Sequence, residues 1–239
     1  MSPSCGCSHE ASGTARFPGT AKRSRHGYTL EVRILLSSFE PFGEHDVNAS
    51  REVARHIAES AAGLLTVELP VVRHQAARRL IDAVERERPD AVLMLGIAGK
   101  RAEITPERVA INVDDYRIPD NAGNQPVDEP VVDGAPAAYF STLPIKAIVA
   151  ALADAEIPTS VSNAAGTYLC NHVAYSLLHH LERTSTPCRA GFLHIPQMTE
   201  AGKDDAPSLP FATLVRGVRI TLDVLNAELK KGPFVLKGR

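Results

Sequence analysis

Two side chains carry the chemistry that this sequence suggests first. Ser162-Asn-Ala-Ala-Gly-Thr-Tyr-Leu-Cys170 reads as a strand running into a helix, so Cys170 falls in the first turn of that helix. Unpaired N–H groups and the helix dipole favour a thiolate there. Phe192-Leu-His-Ile-Pro196 places His194 at the end of another strand, with a proline two residues on. A histidine so placed suits proton transfer. Taken singly, a cysteine here is more often a buried apolar residue, and a histidine more often structural. Together, at the carboxyl ends of neighbouring strands, they suggest a Cys–His nucleophile pair.

Two further loops could bind a ligand. Phe39 and Phe42 stand three apart around Pro41 in Ser38-Phe-Glu-Pro-Phe-Gly43. The chain has seven Phe, five Tyr and no Trp, so two Phe in one polar turn suggest a small apolar pocket, with core capping as the alternative. Gly96-Ile97-Ala-Gly-Lys-Arg101 follows a strand, where glycines let backbone amides approach a ligand. It matches neither G-x-G-x-x-G nor a P-loop, so it is weak as a phosphate site. His172, two residues after Cys170, should point away from it on a helix. His179 and His180 should face solvent or the helix C-terminus. Cys188 reads as an ordinary thiol, and Glu85-Arg-Glu-Arg88 as a solvated helix face. Cys5, Cys7 and His9 lack a second ligand pair at zinc spacing, and no metal-ligand cluster stands elsewhere; neither metal nor cofactor is expected.

These residues need a scaffold, and strand and helix alternate along the chain. Strands are expected at Val32–Ser38, Leu64–Val71, Ala91–Leu95 and Ala190–Ile195. Val109, Ile111 and Val113 alternate as in a half-buried strand, and Thr159–Ser162 is short and β-prone. Helices are expected after the cap at Asn48, around Ala77 to Val84, around Ile145 to Leu152, over Tyr168–Leu181 and over Phe211–Leu229. Pro89 and Pro158 end two of them. Asp114 to Ala138 is a long polar loop of the kind that is usually functional. The pattern predicts an α/β fold: a three-layer α/β/α domain with a mostly parallel central sheet, phosphorylase- or hydrolase-like. Ligands in such folds sit beyond the carboxyl ends of the strands.

At 239 residues the chain can form one α/β domain, expected over 31–239. Residues 1–30, rich in Ser, Gly, Thr and Pro and with one acid against four Lys and Arg, read as a disordered tail. They lack the apolar core of a secretory signal. No run of about 18 apolar residues could cross a membrane. A formal charge of −2 leaves no basic excess for nucleic acid. Four cysteines do not make a disulfide scaffold, which points to a reducing, cytoplasmic setting.

Seven ordered motifs then resemble one family. They are Phe39-Glu-Pro-Phe-Gly43, Ile104-Thr-Pro-Glu-Arg-Val-Ala-Ile-Asn112, Arg117-Ile-Pro-Asp-Asn121, Gly134-Ala-Pro-Ala-Ala-Tyr139, Ser141-Thr-Leu-Pro-Ile-Lys146, Ser162 to Asn171, and Gly191-Phe-Leu-His-Ile-Pro196. Across Val32 to Pro196 the chain is similar to pyroglutamyl-peptidase I, a family of cytosolic cysteine peptidases on an α/β/α fold. The resemblance implies removal of an N-terminal pyroglutamyl residue from peptides, no metal or cofactor, and a homo-oligomer, often a tetramer. It implies Cys170 as nucleophile, His194 as general base and Glu107 as the third catalytic residue. Spacing alone reads Glu107 only as a strand-end charge beside Arg108. It further implies that Phe39 and Phe42 line the ring pocket and that Arg117 lies next to the cysteine; Gly96 and Ile97 of the Gly-rich loop suit the same pocket, with backbone groups for the lactam. Ser37-Ser38, Ala49, Lys100 and Gln197-Met-Thr-Glu200 depart from the family pattern without removing a catalytic residue. Two other readings remain open at this point: a nucleoside-phosphorylase-like transferase on a related fold, and a non-catalytic binder that keeps the pocket.

Overall fold

In the computed structural model, residues 28–43, 46–199 and 206–231 are described. β1 (Tyr28–Phe39) leads to α1 (Ala49–Ala58), β2 (Ala61–Leu69), α2 (Arg73–Glu87) and β3 (Ala91–Ile97). Two short strands follow, β4 (Thr105–Pro106) and β5 (Val109–Ile111), then β6 (Ala138–Phe140) and α3 (Ile145–Asp154). α4 (Leu169–Thr184), β7 (Arg189–Ile195), β8 (Gln197–Met198), β9 (Ser208–Leu209) and α5 (Phe211–Lys230) complete the order. The central sheet runs β2-β1-β3-β7-β4. Its first four strands are parallel, and β4 closes one edge antiparallel to β7.

Alternation along the strands sends side chains to two separate cores. Leu35, Phe39, Val92, Met94, Ala190 and Phe192 pack with Leu80 and Val84 of α2 and with Val173, Tyr175 and Leu177 of α4. Ile34, Leu36, Leu93, Leu95, Leu193 and Ile195 pack on the other face with Val53 and Ile57 of α1, Ile148 and Leu152 of α3, and Leu214, Val218, Leu222 and Leu225 of α5. Being covered on both faces explains why β1, β3 and β7 read as continuous apolar runs. The three layers expected from the sequence are present.

Boundaries differ in instructive ways. β1 starts at Tyr28, paired with Ala61 of β2, and so reaches into the segment expected as tail. Ladder pairing is a backbone property and needs no apolar signal. The strand expected through Val113 ends at Ile111; Ala110 is its buried residue, while Val109 and Ile111 are half-buried. β5 belongs to a two-stranded ribbon with β6, Ala110 opposite the buried Tyr139. The small residue points inward because the ribbon lies against α4, where Asn171 grips its backbone: Oδ1 accepts from Ile111 N at 2.9 Å, and Nδ2 donates to Ile111 O and Val113 O. Asn48 caps α1 as expected, accepting from Ser50 N at 3.0 Å.

Candidate active site

β3 and β7 run side by side, with Gly96 paired to His194. Phe192 and His194 lie on the α4 side of the sheet, their rings 4.7 Å apart. Cys170 sits in the first turn of α4, directly above. Gly96 is what lets it approach: a Cβ there would stand 2.9 Å from Cys170 Sγ and 2.6 Å from Phe192 Cζ. The glycine therefore leaves space for the sulfur beside the histidine. Tyr168, the N-cap of α4, offers no side-chain acceptor to the helix, so first-turn N–H groups remain available to an incoming oxygen.

Glu107 arrives from the sheet edge. β4 pairs with β7, Thr105 opposite His194, and Glu107 N bonds Phe192 O at 2.9 Å. This brings Glu107 Oε1 within 2.7 Å of His194 Nδ1, across 87 residues of sequence. Both are buried, Glu107 at 2% exposure and His194 at 4%, whereas Cys170 is half-buried at the pocket wall. Burial opposes charge on His194, but the Cys170 thiol as charge and hydrogen-bond partner, together with Glu107, pushes the imidazole up to about 9. Burial also disfavours ionised Glu107; hydrogen bonds from His194, Ser162 and Arg101 outweigh it and hold the carboxyl below its usual range. With Glu107 ionised, Nδ1 carries the proton and Nε2 is the nitrogen left for the sulfur.

A pocket of about 750 Å³ opens at the carboxyl ends of the strands. Phe39, Phe42, Ile97, Arg117 and Cys170 all line it. Phe39 is buried against Phe192 at 6.5 Å, so it serves core and pocket at once, while Phe42 packs on Tyr168 at 5.6 Å. Arg117 is exposed on the rim, and its guanidinium makes no hydrogen bond or ion pair among the described residues. Gly96 lies behind Cys170 rather than on the pocket wall.

The opposite wall comes from the long loop after Asp114, and a buried ion cluster ties it down. Asp114 Oδ2 accepts from His172 Nδ1 at 2.7 Å and Arg73 Nε at 2.8 Å, and Arg73 also pairs with Glu129. Asp120 accepts from Arg73 N, Ala122 N and Asn124 N; Asn121 Nδ2 reaches Glu40 Oε1 at 3.0 Å, joining this wall to the Phe39–Phe42 turn. His172 does point away from Cys170, but into this cluster, at 1% exposure. His179 is half-buried rather than free in solvent: it bonds Tyr139 Oη at 2.9 Å and stacks on Tyr175. His180 pairs with Glu85. Burial pushes the Cys188 thiol up to about 12, in keeping with an inert thiol.

Arg101, Asn171 and the Arg73–Asp114–His172 cluster were not found from the residues alone. Asn171 and the cluster act across long sequence separations, and Arg101 reaches Glu107 only because β4 folds back onto β7. Among the described residues no group of three or more His, Cys, Asp or Glu could hold a metal; Cys5, Cys7 and His9 lie outside them.

Comparison with known proteins adds to this geometry. The family model described as pyroglutamyl peptidase matches residues 32–228. A pyrrolidone-carboxylate peptidase of Streptomyces coelicolor is 52% identical over 195 residues, covering 80% of this chain and 90% of its own. One from Vibrio vulnificus is 50% identical over 194 residues, covering 80% and 91%. The crystal structure of Bacillus amyloliquefaciens pyroglutamyl peptidase I superposes with a TM-score of 0.78 at 40% identity, over 82% of this chain and 98% of that one. The pyrrolidone carboxyl peptidase of Thermococcus litoralis gives 0.78 at 32% identity, over 87% and 100%.

Proposed function

The chain belongs to the pyroglutamyl peptidase family and is a cysteine-type hydrolase, and on that premise we propose that Cys170, His194 and Glu107 cleave the amide bond after an N-terminal pyroglutamyl residue. The observation that carries this reading is one line of contacts: Cys170 Sγ packed over Gly96, the ladder partner of His194, and His194 Nδ1 on Glu107 Oε1 at 2.7 Å. Cys170 Sγ attacks the pyroglutamyl carbonyl, forming the C–S bond and an oxyanion. The first-turn N–H groups of α4, that of Cys170 included, face the developing charge, with Arg117 across the pocket. His194 gives its proton to the leaving nitrogen as the C–N bond breaks, leaving a thioester. Water then attacks, its proton passes to His194, and the C–S bond breaks to release pyroglutamate and restore the thiolate–imidazolium pair.

The lactam of pyroglutamate is flat, small and uncharged, and the pocket suits it. Phe39, Phe42 and Ile97 supply apolar contact, and the loops beside them supply backbone groups for the lactam N–H and C=O. Release of a fluorophore from an L-pyroglutamyl amide, compared with alanyl and prolyl amides, tests the specificity. Strong preference for the first is expected; equal rates would refute it.

Two predictions belong here. Phe42→Ala removes a pocket contact outside the buried core. It should lower kcat/KM by roughly 10- to 100-fold, mostly through KM, while iodoacetamide alkylates Cys170 at the wild-type rate. Phe39→Ala should instead also destabilise the fold, by roughly 3–5 kcal/mol, because that ring is buried. Kinetics with urea titration of both variants separates the two roles.

The second concerns pH. The active form carries a proton on His194, so kcat/KM should fall as pH rises through about 9. Glu107, held below its usual range, stays ionised throughout the neutral range and sets no limb there. A profile still rising at pH 10 would contradict the assignment.

The two described cysteines are free, in keeping with a reducing, cytoplasmic setting. No helix among the described residues is long and apolar enough to cross a membrane. A homo-oligomer, tetrameric as the resemblance implies, belongs to the same reading.

A further inference from the structure

Glu107 Oε1 has a second donor. Arg101 Nη1 reaches it at 2.8 Å and also donates to Thr105 Oγ1 at 2.8 Å, while Nη2 donates to Ala164 O at 3.2 Å. One guanidinium thus joins three segments: the Gly-rich loop after β3, the edge strand β4 that delivers Glu107, and the loop that leads into α4 and Cys170. Exposed ion pairs contribute little, but here the carboxylate is 3% exposed, and the same oxygen holds the imidazole. Asp114 shows the same arrangement, one carboxylate oxygen shared by His172 and Arg73, in a cluster that holds the pocket wall.

We infer that Arg101 is a positioning residue for the catalytic set, orienting Glu107 toward His194 and locking the Cys170 loop to the sheet edge. This rests on the catalytic reading of Cys170, His194 and Glu107. Arg101 bonds the same Glu107 Oε1 that holds the imidazole. It shares the carboxylate's charge, so the proton stays on His194 Nδ1, and it prevents the carboxylate from rotating away. Without it, Glu107 Oε1 keeps only the bond from His194 Nδ1.

The test compares Arg101→Gln and Arg101→Lys with the wild type on an L-pyroglutamyl amide across pH, with iodoacetamide labelling of Cys170 alongside. Arg101→Gln should lower kcat about tenfold or more with KM nearly unchanged. It should also move the alkaline limb of kcat/KM upward, because a cation beside the imidazolium–carboxylate pair is gone. Arg101→Lys keeps the charge and should return the limb to its wild-type position. A loss confined to KM, or a limb that stays in place in Arg101→Gln, overturns the proposal. Should Arg101→Gln fail to fold, Thr105→Val decides, since it removes one anchor of the guanidinium. Lowered kcat at constant KM supports the role, and unchanged kcat overturns it. If labelling of wild-type Cys170 leaves activity intact, the catalytic reading itself fails, whatever Arg101 does.

Discussion

Replacing Cys170 by serine should abolish hydrolysis of pyroglutamyl amides, by about 10³-fold or more, while leaving the fold intact. The proposed chemistry needs a thiolate at Cys170 when it attacks. Sγ packs on Gly96 and lies at a helix N-terminus, and the cysteine beside His194 helps to hold the imidazole's proton. A serine hydroxyl is smaller and far harder to ionise than a thiol, so it is a poor nucleophile in this place. The melting temperature should change little, because the hydroxyl fits where the sulfur stood. Cys188→Ser is the control: that thiol is buried near Asp90, away from the pocket, and turnover should stay close to wild type. Retained turnover in Cys170→Ser would remove the nucleophile from this account.

The other large loss should come from Glu107→Gln. An amide keeps the volume but removes the charge, and its Nε2 cannot accept from His194 Nδ1 if it faces the ring. With its oxygen toward the ring it can accept one bond, yet it no longer stabilises an imidazolium. Substitutions that misplace the imidazole proton in related proton relays cost about 10⁴-fold in kcat, so a loss of about 10²- to 10⁴-fold is expected here, with KM nearly unchanged. The neutral amide also frees Arg101, whose guanidinium then faces a buried imidazole without the anion between them. The imidazolium is disfavoured on both counts, so the alkaline limb should move downward, opposite to Arg101→Gln. Steady-state kinetics from pH 6 to 10 reads both the size and the sign.

What could be read from the residues follows a physical division. Cys170 and His194 stand at element ends, and the strand–helix alternation that puts them there is a local pattern. The same holds for the Phe39–Phe42 turn and the cap at Asn48. Glu107 has no such signal. Its role depends on β4 turning back antiparallel to β7, a two-residue strand far too short to be seen as a period. It entered through resemblance alone. Arg101 was visible only as the end of a Gly-rich loop, and its three acceptors come from segments up to 63 residues away. His172 shows the limit of helical geometry. Two residues from Cys170, it must face elsewhere, but nothing local says that it meets Asp114 in the core. A place late on its helix points His179 to solvent or to the helix C-terminus, and says nothing of the ribbon whose Tyr139 Oη it bonds. A glycine after a strand suggests ligand approach at Gly96, whereas its missing side chain makes room for Cys170.

The most direct test follows iodoacetamide alkylation of Cys170 by peptide mass spectrometry while the loss of pyroglutamyl amidase activity is recorded, with and without a saturating small lactam such as 2-pyrrolidone. Activity should disappear in one-to-one proportion with alkylation of Cys170, and the lactam, filling the pocket between Phe42 and the cysteine, should slow both equally. Activity that survives complete alkylation of Cys170 would contradict the account.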